Sequence, residues 1–290
     1  MLHRQKALLA ILQQVGGQAS RLQIMKWAFL LNQETLSHGG KTFYQFLPYR
    51  LGPYSFTLNR ETDVLIRNGF VEQVDKKIWE LTALGEKQSV NLPKQISQDI
   101  MTVTQQYGNL SSSDLMETVY ARYPWFTVNS NSPGKRREQR PIAAIAIYTS
   151  GYEGKTIDEF LNLLMRSGIR RLIDVRYNPI SRRYGFHKST LKRLCNSLEI
   201  DYHHLSGLGI PGSLRAGLNS ADSHIALFEE YRYGLLDRGQ DLQAVISLLK
   251  SEPSTLMCME ANPECCHRSV LAQHLQGMIE LPIMHLGSKG

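Results

Sequence analysis

Residues 129–140 read Asn129-Ser130-Asn131-Ser132-Pro133-Gly134-Lys135-Arg136-Arg137-Glu138-Gln139-Arg140, and no periodic apolar pattern crosses them. Ser-Pro-Gly breaks regular structure, and the stretch is polar throughout. Before it, apolar residues recur mainly at helical spacing; after it, short apolar runs alternate with helical segments. A chain interrupted in this way is not expected to bury both sides in one continuous sheet or bundle. The break predicts a mainly helical domain over 1–128, an exposed basic linker over 129–140 and an α/β domain over 141–290. A length of 290 residues suits two domains at about 100–200 residues each.

In the first part, Ala7, Leu8, Ile11, Leu12 and Val15 follow helical spacing up to Gly16-Gly17. Ser20 is placed to cap a second helix, whose apolar face includes Leu22, Met25, Trp27 and Phe29. An aromatic loop punctuated by Pro48, Gly52 and Pro53 follows, then a third helix through Leu58, Thr62 and Leu65 that stops at Asn68-Gly69. Residues 70–74 and 78–82 alternate across the turn Asp75-Lys76-Lys77, which predicts a short hairpin with both lysines at its tip. Three helices and a two-stranded wing describe a winged helix-turn-helix. Two further helices are expected over 94–107 and 114–122.

The segments Leu22-Gln23-Ile24-Met25-Lys26-Trp27-Ala28-Phe29, Leu51-Gly52-Pro53-Tyr54-Ser55, Gly69-Phe70-Val71 and Leu81-Thr82-Ala83-Leu84-Gly85 carry a resemblance over residues 5–125. They are similar to the helical winged domain of YwgA-like and antitoxin-related bacterial proteins. That group contains protein-interaction domains as well as DNA binders. The resemblance therefore implies either nucleic acid or a protein as the partner of this domain.

In the second part, strands are expected over 142–148, 171–176, 201–205, 255–259 and 282–286, with helices between them. Such β-α alternation argues for a mainly parallel sheet wrapped by helices, with ligands bound beyond the carboxyl ends of the strands. The chemistry is therefore expected in the loops that follow the first, second and fourth of these strands.

The first of these loops contains Gly151, Tyr152 and Gly154 at a helix start, a tight turn that also suits an anion. The second begins Asp174-Val175-Arg176 and continues through Ser181, Arg182, Arg183, Tyr184 and Phe186. Asp174 and Arg176 fit an ion pair or a site, and the arginines beside aromatic rings fit a phosphate plus a base. Residues 166–193 hold nine basic side chains and one acid, Asp174. The third loop runs Cys258-Met259-Glu260-Ala261-Asn262-Pro263-Glu264-Cys265-Cys266-His267-Arg268. Glu260 is a candidate general acid or base, and Cys266 or Cys265, at a helix N-terminus beside His267 and Arg268, is a candidate thiolate. Zinc is the competitor. Against it, the cysteines lack paired spacing and Cys266 and His267 are adjacent, so the expectation is no metal and no cofactor.

Gly151-Tyr152-x-Gly154, Asp174-Val175-Arg176, Pro179-x-Ser181-Arg182, Gly185-Phe186, Tyr202-x-His204-Leu205 and Cys258-x-Glu260-x-x-Pro263-x-x-Cys266-His267-Arg268 together resemble the family called domain of unknown function 488 over 142–286. The resemblance implies a Rossmann-like three-layer domain with these loops at one face, and it implies no reaction. Cys265 is extra to the family's pattern. The Asp-Val-Arg strand and the cysteine loop are also faintly similar to rhodanese-type sulfurtransferases. Ten positions separate Cys258 from Arg268, however, where that family has a compact loop.

Charge completes the expectation. The chain carries 33 Lys and Arg against 26 Asp and Glu, with 17 basic and 11 acidic side chains in residues 1–140. No apolar run reaches the roughly 18 residues of a membrane span, and three clustered cysteines suit a reducing, cytoplasmic setting. The sequence therefore predicts a bacterial nucleic-acid-directed enzyme whose winged domain recruits DNA. Its α/β domain would process a phosphate-bearing nucleotide, N-glycosidic or related hydrolysis being the leading reaction. The expected catalytic set is Asp174, Glu260, Cys258, Cys266 and His267. Gly151, Tyr152, Arg176, Ser181, Arg182, Phe186 and Arg268 are expected to hold substrate and phosphate. Lys76, Lys77, Lys135, Arg136 and Arg137 are expected to touch nucleic acid. The alternatives are a non-catalytic DNA- or protein-binding regulator that senses an anion, and rhodanese-like thiol transfer.

Overall fold

The computed structural model of the chain describes residues 1–75, 78–89, 91–131, 133–215 and 221–287. Two compact units divide it, Met1–Gln139 and Arg140–Gly290.

The first unit is mainly helical. Helix α1 (His3–Gln14) buries Ala7, Leu8, Ile11 and Leu12 and ends where Gly16 and Gly17 take positive φ. A short strand β1 (Gln18–Ser20) leads into α2 (Arg21–Glu34), where the Ser20 hydroxyl accepts the Gln23 N–H at 3.2 Å as an N-cap. Trp27, Phe29 and Leu31 of α2 are buried. The aromatic loop contains a small antiparallel pair, β2 (Leu47–Tyr49) and β3 (Gly52–Tyr54). The Lys26 ammonium donates to the carbonyls of Leu51 (2.5 Å) and Pro53 (2.9 Å) and so holds this hairpin. Helix α3 (Phe56–Arg67) is capped by Ser55. Strands β4 (Val71–Asp75) and β5 (Ile78–Leu81) pair antiparallel, and β1 joins them in the order β1-β5-β4. Lys76 and Lys77, expected at the hairpin tip, lie outside the described residues. Helices α4 (Ala83–Ser89), α5 (Lys94–Tyr107) and α6 (Ser112–Arg122) complete the unit.

The basic segment after α6 is engaged in ion pairs. Lys135 and Arg137 both meet Glu117, at 2.5 and 3.5 Å, and Arg136 donates to the Ser130 carbonyl at 3.1 Å. The Lys135 hydrogen bond holds the exposed Glu117 carboxyl below its usual range.

The second unit is built on five parallel strands in the order β10-β6-β9-β7-β8. They are β6 (Ile147–Gly151), β7 (Arg171–Asp174), β8 (Asp201–His204), β9 (Ser254–Cys258) and β10 (Ile283–Leu286). The connecting helices are α7 (Ile157–Arg166), α8 (Lys188–Asn196), α9 (Ala221–Gly234), α10 (Gly239–Ser251) and α11 (His267–Ile279). Strand β6 starts later than its apolar run suggests. Ile142 is 70% exposed, and pairing begins only at Ile147 opposite Ser254. Residues 149–151, expected in a loop, therefore close the strand.

Side-chain alternation sorts the two faces of this sheet. Ile147, Ile173 and Leu256 share one buried core with α9, α10 and α11. Asp174 alternates with Ile173 and points the other way, where it meets Tyr202 and where Phe160 of α7 packs on Phe186. Strand β9 returns to lie between β6 and β7, so their carboxyl ends form the switch point of the sheet. Among the described residues, no helix is long and apolar enough to cross a membrane.

Candidate active site at the carboxyl end of the parallel sheet

The predicted residues form two groups at this end of the sheet, on opposite faces. The first is centred on Asp174, which is fully buried. Arg176 donates from Nε to its Oδ1 (2.8 Å) and from Nη2 to its Oδ2 (2.6 Å), a bidentate pair, and the Tyr202 hydroxyl donates to Oδ2 at 2.7 Å. The other Arg176 nitrogen, Nη1, donates to the Phe186 carbonyl (3.0 Å) and the Tyr152 hydroxyl (3.2 Å). Burial opposes the Arg176 charge, but the hydrogen bonds and charge of Asp174 outweigh it and raise the guanidinium pKa. Tyr152 and Phe186 stack on each other at 4.1 Å and are buried.

This group is saturated. Asp174 and Arg176 spend their polar atoms on each other and on neighbouring loops, and the two rings expected to sandwich a base sandwich one another. The geometry is that of a clamp that fixes residues 174–186. Gly151 is likewise packed shut: a Cβ there would lie 1.9 Å from the Glu260 carbonyl oxygen. Ser181 accepts the Arg183 N–H at 3.1 Å within an exposed turn.

Beyond the clamp the loop is basic and open. Arg182, Arg183, Lys188, Lys192 and Arg193 are all exposed. Lys188 lies 2.8 Å from His204 Nδ1, and His204 Nε2 meets the Arg176 carbonyl at 2.9 Å. Arg171, by contrast, pairs with Asp201 and Glu252.

The second group lies on the α11 face. Cys258, Cys266, His267 and Arg268 are each 1% exposed. Three groups from this loop face one point: the Sγ atoms of Cys258 and Cys266 and a ring nitrogen of His267, all within 4.8 Å of one another. His267 Nδ1 lies 3.6 Å from Cys258 Sγ and 4.0 Å from Cys266 Sγ, and its Nε2 lies 3.1 Å from the Val175 carbonyl. A carbonyl only accepts, so Nε2 carries the proton and Nδ1 turns its lone pair to the thiols. The Cys266 thiol donates to Glu260 Oε2 at 2.9 Å. Hydrogen bonding with Cys266, and then burial, push the Cys258 thiol well above the ordinary thiol range.

Residues 266 and 267 converge because the backbone changes direction between them. Cys266 is extended (φ −139°, ψ 133°), and His267 begins α11. Arg268 does not face solvent as a phosphate ligand. Its Nη1 donates to the Glu260 carbonyl (2.6 Å), its Nη2 to the Ala261 carbonyl (3.1 Å) and its Nε to the Thr149 hydroxyl (3.4 Å). Glu153 closes the same loop by accepting the Ala261 N–H at 2.9 Å.

A cavity of about 640 Å³ borders this group. Its wall includes Cys266, Ser269, Gln273, Glu229, Arg232 and His285. Thr149, Arg232 and His285 were not singled out by the sequence. The register pairs Thr149 with His285, and Thr149 Oγ1 lies 2.7 Å from His285 Nδ1. Burial, and then the Arg268 charge, lower the His285 pKa.

Residues 156–275 match a family model described as a domain of unknown function, DUF488. Over those residues the second unit is similar to that family. The matched residues include Asp174, Arg176, Phe186 and Tyr202 of the clamp and the whole cysteine loop, and leave Thr149, Tyr152 and His285 outside. Comparison with curated proteins and with solved structures gave no match. The DUF488 description specifies no reaction, so the site's chemistry has to come from its geometry.

Proposed function

We propose that the second unit is a hydrolase acting on a nucleotide or a unit of nucleic acid. Its reaction centre is the group Cys258, Glu260, Cys266 and His267. The observation that carries this reading is their meeting at the carboxyl end of the central strand, beside a cavity that Cys266 lines.

Glu260 is the proton-transfer group. It takes a proton from the attacking water and returns it to the departing nitrogen, so the bond to the base breaks with no net proton change. The Cys266 thiol, which lines the cavity and is hydrogen-bonded to Oε2, orients that carboxylate. Asp174 and Arg176 act at one remove, by holding the loop that carries the basic strip. Arg182, Arg183, Lys188, Lys192 and Arg193 supply the field for a polyanion.

The first unit fits a winged-helix docking domain with nucleic acid as partner. The order α1-β1-α2-α3-β4-β5 and the sheet order β1-β5-β4 support that reading. The test is incubation of the full chain with labelled DNA, RNA and free nucleotides. Release of a base or shortened product is expected from the wild type and not from Glu260→Gln. No product from the wild type across the panel overturns the proposal.

A further inference from the structure

We infer that Cys258, Cys266 and His267 form a binding site for one zinc-type divalent ion. Zinc is held by thiolates at about 2.3 Å and by imidazole nitrogen at about 2.0–2.1 Å, in a tetrahedral arrangement. Those lengths place a sulfur and a nitrogen ligand about 3.6 Å apart along a tetrahedral edge. His267 Nδ1 stands 3.6 Å from one thiol and 4.0 Å from the other, so a single ion reaches all three with little movement.

The imidazole is already oriented for it. The Val175 carbonyl takes the Nε2 proton at 3.1 Å, which leaves Nδ1 as the coordinating lone pair. A backbone or carboxylate acceptor on the far nitrogen is the usual support of a metal-bound histidine. The donor set chooses the metal: two soft sulfurs and one imidazole suit zinc and disfavour calcium or magnesium.

All three ligand residues are buried, and one of them borders the cavity. Cys266 lines the cavity, and the half-buried Glu260 carboxylate lies 2.9 Å from its sulfur. Three protein ligands beside a carboxylate and a cavity match a zinc site with one exchangeable position. Arg268 and Glu153 pin residues 260 and 261, so the loop that carries the first and second thiols does not have to fold around the ion.

Binding is a balanced proton exchange. Each thiol gives up its proton as its sulfur bonds to the ion, the Cys266 hydrogen bond to Glu260 going with it, so two protons leave per ion bound, and no oxidant or reductant takes part. This inference goes beyond the hydrolase reading, because the ion binds whether or not the site turns over.

The experiment uses the full chain, reduced and stripped with a chelator, then titrated with Zn²⁺ and separately with Co²⁺. One equivalent per chain is expected, with thiolate-to-cobalt charge-transfer absorption and the visible bands of a tetrahedral ion. Cys258→Ser and Cys266→Ser should each weaken zinc binding at least about 100-fold, beyond what the loss of an outer-shell partner costs. Cys265→Ser, at an exposed thiol, should leave the stoichiometry at one. A wild-type cobalt titration without charge-transfer absorption overturns the site, and this readout stands even if a variant fails to fold. Unchanged zinc stoichiometry in a folded Cys258→Ser/Cys266→Ser double variant overturns it as well. A product assay run in parallel separates the two proposals. Product formed by a chain that binds no ion overturns the metal site alone; an ion bound without product overturns the hydrolase alone.

Discussion

The Arg268 guanidinium donates to the backbone carbonyl of Glu260 at 2.6 Å, and the same side chain reaches Ala261 and Thr149. An arginine in the first turn of α11 thus acts as an internal strut for the loop before it. Methionine keeps the apolar stem and has no donor, so Arg268→Met leaves the Glu260 and Ala261 carbonyls without this partner. The expected loss is about 1–3 kcal/mol of unfolding free energy. Urea denaturation measures it, and an unchanged midpoint would remove the strut from the account.

Gly151→Ala tests the same loop from the other side. The added methyl carbon would lie 1.9 Å from the Glu260 carbonyl oxygen and 2.8 Å from its carbon. Backbone atoms must move, at a cost of about 1–3 kcal/mol or more. The variant should melt at lower temperature and lose turnover together, because the displaced residue is the one that carries the proton-transfer carboxylate. Full activity with wild-type stability would contradict the packing.

Asp174 and Arg176 should behave as a unit. Removing one partner of a buried ion pair costs about 3–5 kcal/mol, since it strands the other charge. Asp174→Asn and Arg176→Met should each fall in that range. The double variant should cost clearly less than the sum. A double-mutant cycle by chemical denaturation gives the coupling, and additive losses would mean that the two side chains act separately.

Lys26 makes the first unit pH-dependent. Burial pushes its ammonium down to about 7, from an ordinary value of 10.5. The folded state therefore holds fewer protons than the unfolded chain between those values, and stability rises with pH across that window. Below pH 7 both states are protonated, and the cost of the buried charge is fully present. The stability of the wild type relative to Lys26→Met should climb from pH 7 towards pH 10. Thermal melts of both proteins at stepped pH check the sign; a flat difference refutes it.

The alternating pattern after residue 140 made the parallel sheet legible, and the loop motifs located the carboxyl end where the site lies. Side-chain direction was less legible. Spacing put Asp174 and Arg176 on one side of a strand, which fitted an ion pair and a site equally, and only the contacts of Tyr202, Phe186 and Tyr152 decide for a clamp. Spacing also counted against Cys266 and His267 as joint ligands. The switch from extended to helical backbone at 266–267 brings them to one point, and a sequence does not display that switch. Strand β1 is three residues long and owes its existence to β5, so no local periodicity announces it. His285 becomes a neighbour of Thr149 only through the pairing of the last strand with β6.

The central claim is that Glu260, and not Asp174, carries the chemistry. Turnover of Glu260→Gln and Asp174→Asn, each with its unfolding midpoint, tests it most directly. Glu260→Gln should keep its midpoint and lose about 10²–10⁴-fold in rate, the usual worth of a general acid or base. Asp174→Asn should lose stability first and rate only as the clamp loosens. A folded Glu260→Gln chain that turns over at the wild-type rate would contradict the account.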